Sequence, residues 1–99
     1  MLFRSSFPGG MSELMHFLSK NLKYPEQSAK NSIQGRVVVS FIVEKDGRLT
    51  NIQVEKSVAP ELDAEAIRVI SAMPKWNPGK QKGKTVRTSV AQPVRFRLK

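Results

Sequence analysis

Gly35-Arg36-Val37-Val38-Val39-Ser40-Phe41-Ile42-Val43-Glu44, then Lys45-Asp46-Gly47-Arg48, then Leu49-Thr50-Asn51-Ile52-Gln53-Val54, is the stretch on which the fold depends. Val37, Val39, Phe41 and Val43 alternate with Arg36, Val38, Ser40 and Ile42, which is the two-residue period of a strand. Asp46-Gly47 signals a two-residue hairpin turn whose central positions both take φ > 0. Counting back from that turn sets Phe41 opposite Ile52 and Val39 opposite Val54, apolar against apolar on one face. The other face then sets Val38 and Ile42 against Glu55 and Asn51, a half-polar surface.

Upstream, the turn cluster Phe7-Pro8-Gly9-Gly10 precedes Met11, Leu14, Met15, Phe17, Leu18 and Leu22 at helical spacing. A helix is expected over 10–21, ended by Asn21 and by Pro25, whose ring disfavours helical geometry at Tyr24. Proline suits a first turn, so Pro25 opens a short second helix over 25–31. Downstream, Leu62, Ala66, Val69, Ile70 and Met73 form a helical stripe over 60–73, with Glu61, Asp63 and Glu65 near the positive end of its dipole and Pro74 closing it. Residues 75–84 read as a Pro/Gly/Lys loop around Trp76, an aromatic expected to plug the end of the sheet. Residues 86–98 alternate throughout. Val86, Thr88, Val90, Gln92, Val94, Phe96 and Leu98 fall on one side, and Arg87, Ser89, Ala91, Pro93, Arg95 and Arg97 on the other, as in one long strand.

The order helix, hairpin, helix, strand, without repeat or linker, gives an α+β fold. It predicts a three-stranded antiparallel sheet with two main helices packed on one face, in a single domain over 9–99 after an irregular lead over 1–8. Pro93 has no N–H to give to a ladder and places the last strand at an edge. The main-chain groups of Arg87, Ser89, Ala91, Pro93 and Arg95 share one direction, which becomes the open edge. An open edge is normally blunted with charge unless it is used.

The 99 residues carry 17 Lys plus Arg against 8 Asp plus Glu, a formal charge of +9, and no cysteine. A disulfide scaffold and a cysteine-ligated metal site are therefore excluded. With 39% apolar residues the composition is that of a folded domain. Acids and bases balance through Glu65, and no acid follows it, so the whole excess of charge lies in the last third. No run approaches the ~18–20 apolar residues of a membrane span, and Met1-Leu2-Phe3-Arg4-Ser5-Ser6 lacks a signal-peptide core. His16 is the only histidine and reads as a helix-surface residue. No nucleophile–base grouping or paired carboxylate can be assembled, and Gly9-Gly10 is too short to cradle a phosphate. No catalytic residue, metal or cofactor is expected, and the chain does not read as an enzyme. Lys80, Lys82, Lys84, Arg87, Arg95 and Arg97 have the charge for phosphates, but neither a recognition helix nor a stacking platform accompanies them. Nucleic acid is the weaker reading, to be separated by a gel shift at low and moderate salt.

Leu22-Lys23-Tyr24-Pro25, Ile33-Gln34-Gly35 leading into the valine-rich strand, Asp46-Gly47-Arg48, Asn51-Ile52-Gln53-Val54, and residues 73–80 with their Trp and Pro-Gly together resemble the TonB C-terminal domain family in order and spacing. Phe7-Pro8-Gly9-Gly10 and Pro93-Val94-Arg95-Phe96-Arg97 are similar to the version in Bacteroidetes-type members. The resemblance implies a periplasmic domain of an energy transducer that couples the proton-motive force to nutrient import of siderophores, vitamins or glycans. Its partners would be TonB-dependent outer-membrane receptors. It would join ExbB and ExbD through an N-terminal inner-membrane anchor and a Pro-rich linker, neither of which is in this sequence. In the family the receptor's TonB box adds as a strand beside the last strand. That implies a partner-binding set of Val86, Arg87, Thr88, Ser89, Val90, Ala91, Gln92, Pro93, Val94, Arg95 and Arg97, with Lys23, Tyr24 and Pro25 near the bound segment. The arginines would favour acidic segments. An adaptor or sensor domain of another membrane protein is the alternative, and the open edge with the Val38 and Ile42 face leaves homodimerisation open.

Overall fold

The computed structural model describes residues 5–98. The elements run α1 (Met11–Asn21), α2 (Glu26–Lys30), β1 (Gly35–Val43), β2 (Leu49–Lys56), α3 (Pro60–Ser71), β3 (Gly79–Gln81), β4 (Lys84–Val86) and β5 (Thr88–Phe96). β1, β2 and β5 form an antiparallel sheet in the order β2-β1-β5, so the valine-rich strand is central and β5 lies at an edge. The predicted α+β architecture with helices on one sheet face is the observed one.

Alternation explains the burial. Val37, Val39, Phe41 and Val43 of β1 and Val94 and Phe96 of β5 are buried beneath Leu14 and Leu18 of α1 and Leu62, Ala66, Val69 and Ile70 of α3. Pro60 opens α3 at a position where its missing N–H costs nothing, and Glu61 and Asp63 sit in the first turn. The Asp63 carboxylate also reaches back to accept the Val58 N–H (3.2 Å) and the Ser57 hydroxyl. On α2 the buried Ser28 hydroxyl donates to Glu61 (3.3 Å), tying that short helix to α3. Phe7, from the irregular lead, joins the core, and Ser6 bridges to Asn77.

The hairpin differs from the expectation in its tip. The Gly47 N–H donates to the Glu44 carbonyl (2.9 Å), and the Glu44 N–H to the Arg48 carbonyl (2.8 Å), leaving a three-residue loop with Gly47 alone at positive φ (90°). This is a type I turn closed by a glycine bulge rather than a two-residue turn with two left-handed centres. The extra residue shifts the register by one, pairing Ile42 with Thr50, until a bulge at Asn51 (φ 53°) removes the shift. Val39 then pairs with Val54 as predicted, whereas Phe41 faces the Asn51-Ile52 pair instead of Ile52 alone. A second irregularity pairs Val38 with Lys56, so Val38 and Ile42 do not face Glu55 and Asn51.

Two further corrections concern the last third. Residues 75–84 are not a plain loop, because β3 and β4 form a separate hairpin turned by Lys82 (φ 52°) and Gly83 (φ 80°). Nor do 86–98 form one strand. Val86 pairs with Gly79 in that small hairpin, Arg87 is a break, and the sheet strand begins at Thr88. Trp76 takes its predicted place in the core, 6% exposed, edge-on to Phe7 (5.8 Å between ring centroids) and Phe41 (5.2 Å).

Candidate functional site

β5 pairs with β1 through nine consecutive positions without a shift, from Val43 opposite Thr88 to Gly35 opposite Phe96. Pro93 lies inside this regular ladder opposite Val38. A residue without an N–H fits there only with its nitrogen turned away from β1. Ser89, Ala91 and Arg95 share that parity, so their main-chain groups face the unpaired side. Beyond Phe96 the Gln34 side-chain carbonyl accepts the Leu98 N–H (2.8 Å), holding Leu98 beside the start of β1.

Of the residues singled out on this strand, Val90 is half-buried and Gln92 and Val94 are buried on the helix side, while Ser89, Ala91, Pro93 and Arg95 are exposed on the other face. The Gln92 amide donates to the Pro93 carbonyl (3.1 Å). Val86 stands off the edge in the small hairpin. Arg87 is engaged, its guanidinium donating to both Glu44 carboxylate oxygens at 2.7 and 3.2 Å. The Thr50 hydroxyl and then Arg87 hold the Glu44 carboxyl below the usual glutamate range. Arg95 sits directly opposite Arg36, a like-charge cross-strand pair, and neither they nor Arg97 meet a carboxylate among the described residues. These three arginines line a cleft of about 420 Å³ at the Phe96 end of the edge, with Gln34, Gly35 and Phe96. Four other bases of the last third are elsewhere. Lys80, Lys82 and Lys84 are exposed on the β3–β4 hairpin, and Arg68 pairs with Glu65 on α3.

The Lys23-Tyr24-Pro25 segment lies at the same end. The Tyr24 ring meets Phe96 edge-on at 5.7 Å, its hydroxyl donates to the Ile33 carbonyl, and Pro25 caps α2. The Lys23 side chain is exposed while its N–H donates to Glu65 Oε2 (2.7 Å). Glu65 also holds Arg68 through two bonds of 2.7 Å, and Arg68 donates in turn to the Asn21 carbonyl at the end of α1 (2.8 Å). α3 thus satisfies backbone groups where α1 stops and positions the tyrosine. The Arg68 guanidinium, assisted against burial by the Lys23 N–H, holds the Glu65 carboxyl below the ordinary glutamate range. A depressed folded pKa contributes stability that is complete above the unfolded value and lost as pH falls through the folded one. Glu65→Gln is therefore expected to lower stability by about 1 kcal/mol at neutral pH and to make the acid limb of a thermal-denaturation pH series shallower than that of the parent.

Only part of the apolar spacing in α1 reaches the core. Leu14 and Leu18 are buried, but Met11 is 66% and Met15 46% exposed. With Leu18, Ser19 and Leu22 they form one wall of a cleft of about 540 Å³ whose other wall is β5 from Ala91 to Arg95. A third cleft, of about 720 Å³, lies at the Thr88 end of the strand. The Ser5 and Thr88 hydroxyls on its lining are shielded from solvent without a hydrogen-bond partner among the described residues. Sequence reasoning missed Met11 and Met15. The signal available was two flexible, polarizable methionines a helical turn apart on a helix whose core stripe Leu14 and Leu18 already supply. Among the described residues no helix is long and apolar enough to cross a membrane and no group of His, Cys, Asp or Glu is arranged to hold a metal.

Comparison with known proteins gives the same fold. Over 53 residues, 54% of this chain, it is 40% identical to protein TonB of Pseudomonas aeruginosa, of whose length the match spans 15%. Two NMR solution structures of the Helicobacter pylori TonB C-terminal domain superpose on it. The one of residues 179–285 has a TM-score of 0.67 at 28% identity, covering 93% of this chain and 87% of that one. The one of residues 194–285 has a TM-score of 0.66 at 23% identity, covering 87% and 90%. The model of the Gram-negative bacterial TonB protein C-terminal family matches residues 20–98, which takes in both the Tyr24 segment and the whole of β5. The chain therefore belongs to the TonB C-terminal domain family.

Proposed function

We propose that this domain is the receptor-binding end of a TonB-type energy transducer and captures the TonB box of an outer-membrane receptor as an added strand on β5. The observation that carries the reading is the β5 edge, regular over nine residues, with no strand paired to its outer side among the described residues and its donors interrupted only at Pro93. Main-chain pairing asks little of the partner's sequence and suits a domain that serves several receptors. Hydrogen bonds loaded together along a strand also resist pulling, so the role is mechanical rather than catalytic. The transducer works in the periplasm, with ExbB and ExbD engaged by an inner-membrane anchor upstream, and the energy is spent on import of siderophores, vitamins or glycans.

Magnitudes limit what the backbone alone supplies. Four or five added main-chain bonds at about 1 kcal/mol each reach about 4–5 kcal/mol, the millimolar range, before the ordering cost of an extended peptide. Side chains must supply the rest. Titrating the isotope-labelled domain with a synthetic receptor TonB-box peptide is expected to shift the amide signals of 88–96 and leave those of β2 in place. Unmoved amides across 88–96 would sink the proposal.

A further inference from the structure

We infer that the captured strand is read on its two faces separately: alternate apolar side chains enter the cleft between α1 and β5, and the side chains between them are acidic and meet Arg95 and Arg97. The inference rests on strand capture at β5 and specifies what is captured. Its first support is position. A strand added to β5 lies ~4.8 Å beyond it. The cleft bounded by β5 from Ala91 to Arg95 and by Met11, Met15 and Leu22 opens along that same edge. The second is spacing. Alternate residues of a strand are ~6.7 Å apart and successive helical turns ~5.4 Å, so side chains on one face of the added strand meet Met11, Met15 and then the Leu22 end in turn.

The third support is chemistry. Met11, Met15 and Val58 are the exposed large hydrophobic residues among those described, and two of the three stand at this cleft. Unbranched, polarizable methionines accept apolar side chains of differing shape, as a surface with several partners requires. On the opposite face Arg95 stands directly opposite Arg36, and a carboxylate on the incoming strand relieves that like-charge pairing. Solvent-exposed pairs contribute little individually and are screened by salt. The apolar face therefore sets most of the affinity and the arginines set the sign of charge that is accepted.

The test uses three nine-residue peptides, one alternating Val with Glu, one with Ser in place of every Val, and one with Lys in place of every Glu. The Val/Glu peptide is expected to shift the 88–96 amides together with the Met11 and Met15 methyl signals. The Ser and Lys peptides are expected to bind at least about tenfold more weakly. A Met11→Ser/Met15→Ser variant, altered only at exposed positions, should weaken the Val/Glu peptide about tenfold and leave the Ser/Glu peptide unchanged. Edge amides that shift while the methionine methyls do not, or equal affinities for the Val and Ser peptides, overturn the inference and leave strand capture standing. Failure of every peptide to move the edge overturns both. If the double variant instead turns a sedimenting dimer into a monomer without changing peptide affinity, the cleft joins two copies of the chain and the inference is wrong.

Discussion

Trp76→Ala is expected to lower the unfolding free energy by about 3–5 kcal/mol, the usual cost of removing a large aromatic from a packed core. A 99-residue domain has roughly 5–15 kcal/mol in total, so the variant sits near the limit of folding. The Trp76 ring is 6% exposed and stands edge-on to aromatic rings from two other parts of the chain. Phe7 reaches it from the lead, bringing Phe17 of α1 (5.8 Å from Phe7), and Phe41 reaches it from the central strand. The indole N–H has no partner among the described residues, so apolar contact and ring–edge geometry account for the loss.

The backbone of the same residue holds the hairpin tip. The Trp76 N–H donates to the Gly47 carbonyl (2.9 Å), and a Cβ on Gly47 would stand 2.3 Å from the Trp76 carbonyl oxygen, at a φ of 90° that side chains disfavour. Gly47→Ala therefore opens the same joint from the other side, at about 2–3 kcal/mol. Because the two residues share one contact, the double variant should lose less than the sum of the single losses. Chemical denaturation read by far-ultraviolet circular dichroism measures all three. A Trp76→Ala loss under about 1 kcal/mol would show that the ring is not what couples lead, hairpin and sheet.

The hairpin shows what the sequence reveals and what it conceals. Alternation from Val37 to Val43 announces the central strand, because a strand buried on one face must repeat every two residues. Asp46-Gly47 locates the tip, but both a two-residue and a three-residue loop use a glycine there, and the choice is settled by Trp76, which arrives from far along the chain to take the Gly47 carbonyl. The middle of the ladder still has the predicted register because Asn51, a residue that tolerates left-handed backbone, absorbs the extra position. Lys82-Gly83 makes a turn of the same kind, yet lysine is not among the residues that signal one, so β3 and β4 were hidden in a Lys/Gly-rich stretch.

The site divides in the same way. Pro93 marks the edge from composition alone, since the missing N–H is a covalent fact. The role of Arg87 depends on Glu44, 43 positions away, and the placement of Tyr24 depends on Glu65, 42 positions from Lys23. No local pattern encodes such pairs. The charge excess likewise resolves only in three dimensions. Arg87 and Arg68 are spent on Glu44 and Glu65, Lys80, Lys82 and Lys84 stand on the small hairpin, and Arg95 and Arg97 line the cleft at the Phe96 end together with Arg36 of β1.

Ala91→Pro is expected to weaken binding of a receptor TonB-box peptide by about 30-fold or more while leaving the melting temperature within a few degrees of the parent. The reasoning starts from Pro93. A proline already occupies the middle of the β1–β5 ladder, so odd-numbered positions there direct their nitrogens outward, and Ala91 is the next such position toward Thr88. The Ala91 side chain is exposed and Val90 before it is already extended, as a residue preceding proline prefers. The substitution thus removes one outward donor, leaves an acceptor on the incoming strand unpaired, and places a ring where that strand must approach within ~4.8 Å. Gln92→Pro is the matched control: its nitrogen faces β1, so the same chemistry one residue along should break the central ladder and unfold the domain. Ala91→Val keeps the N–H and should bind as the parent does. If Ala91→Pro unfolds the domain, the outward parity assigned from Pro93 is wrong; if it stays folded and binds normally, capture does not use this edge.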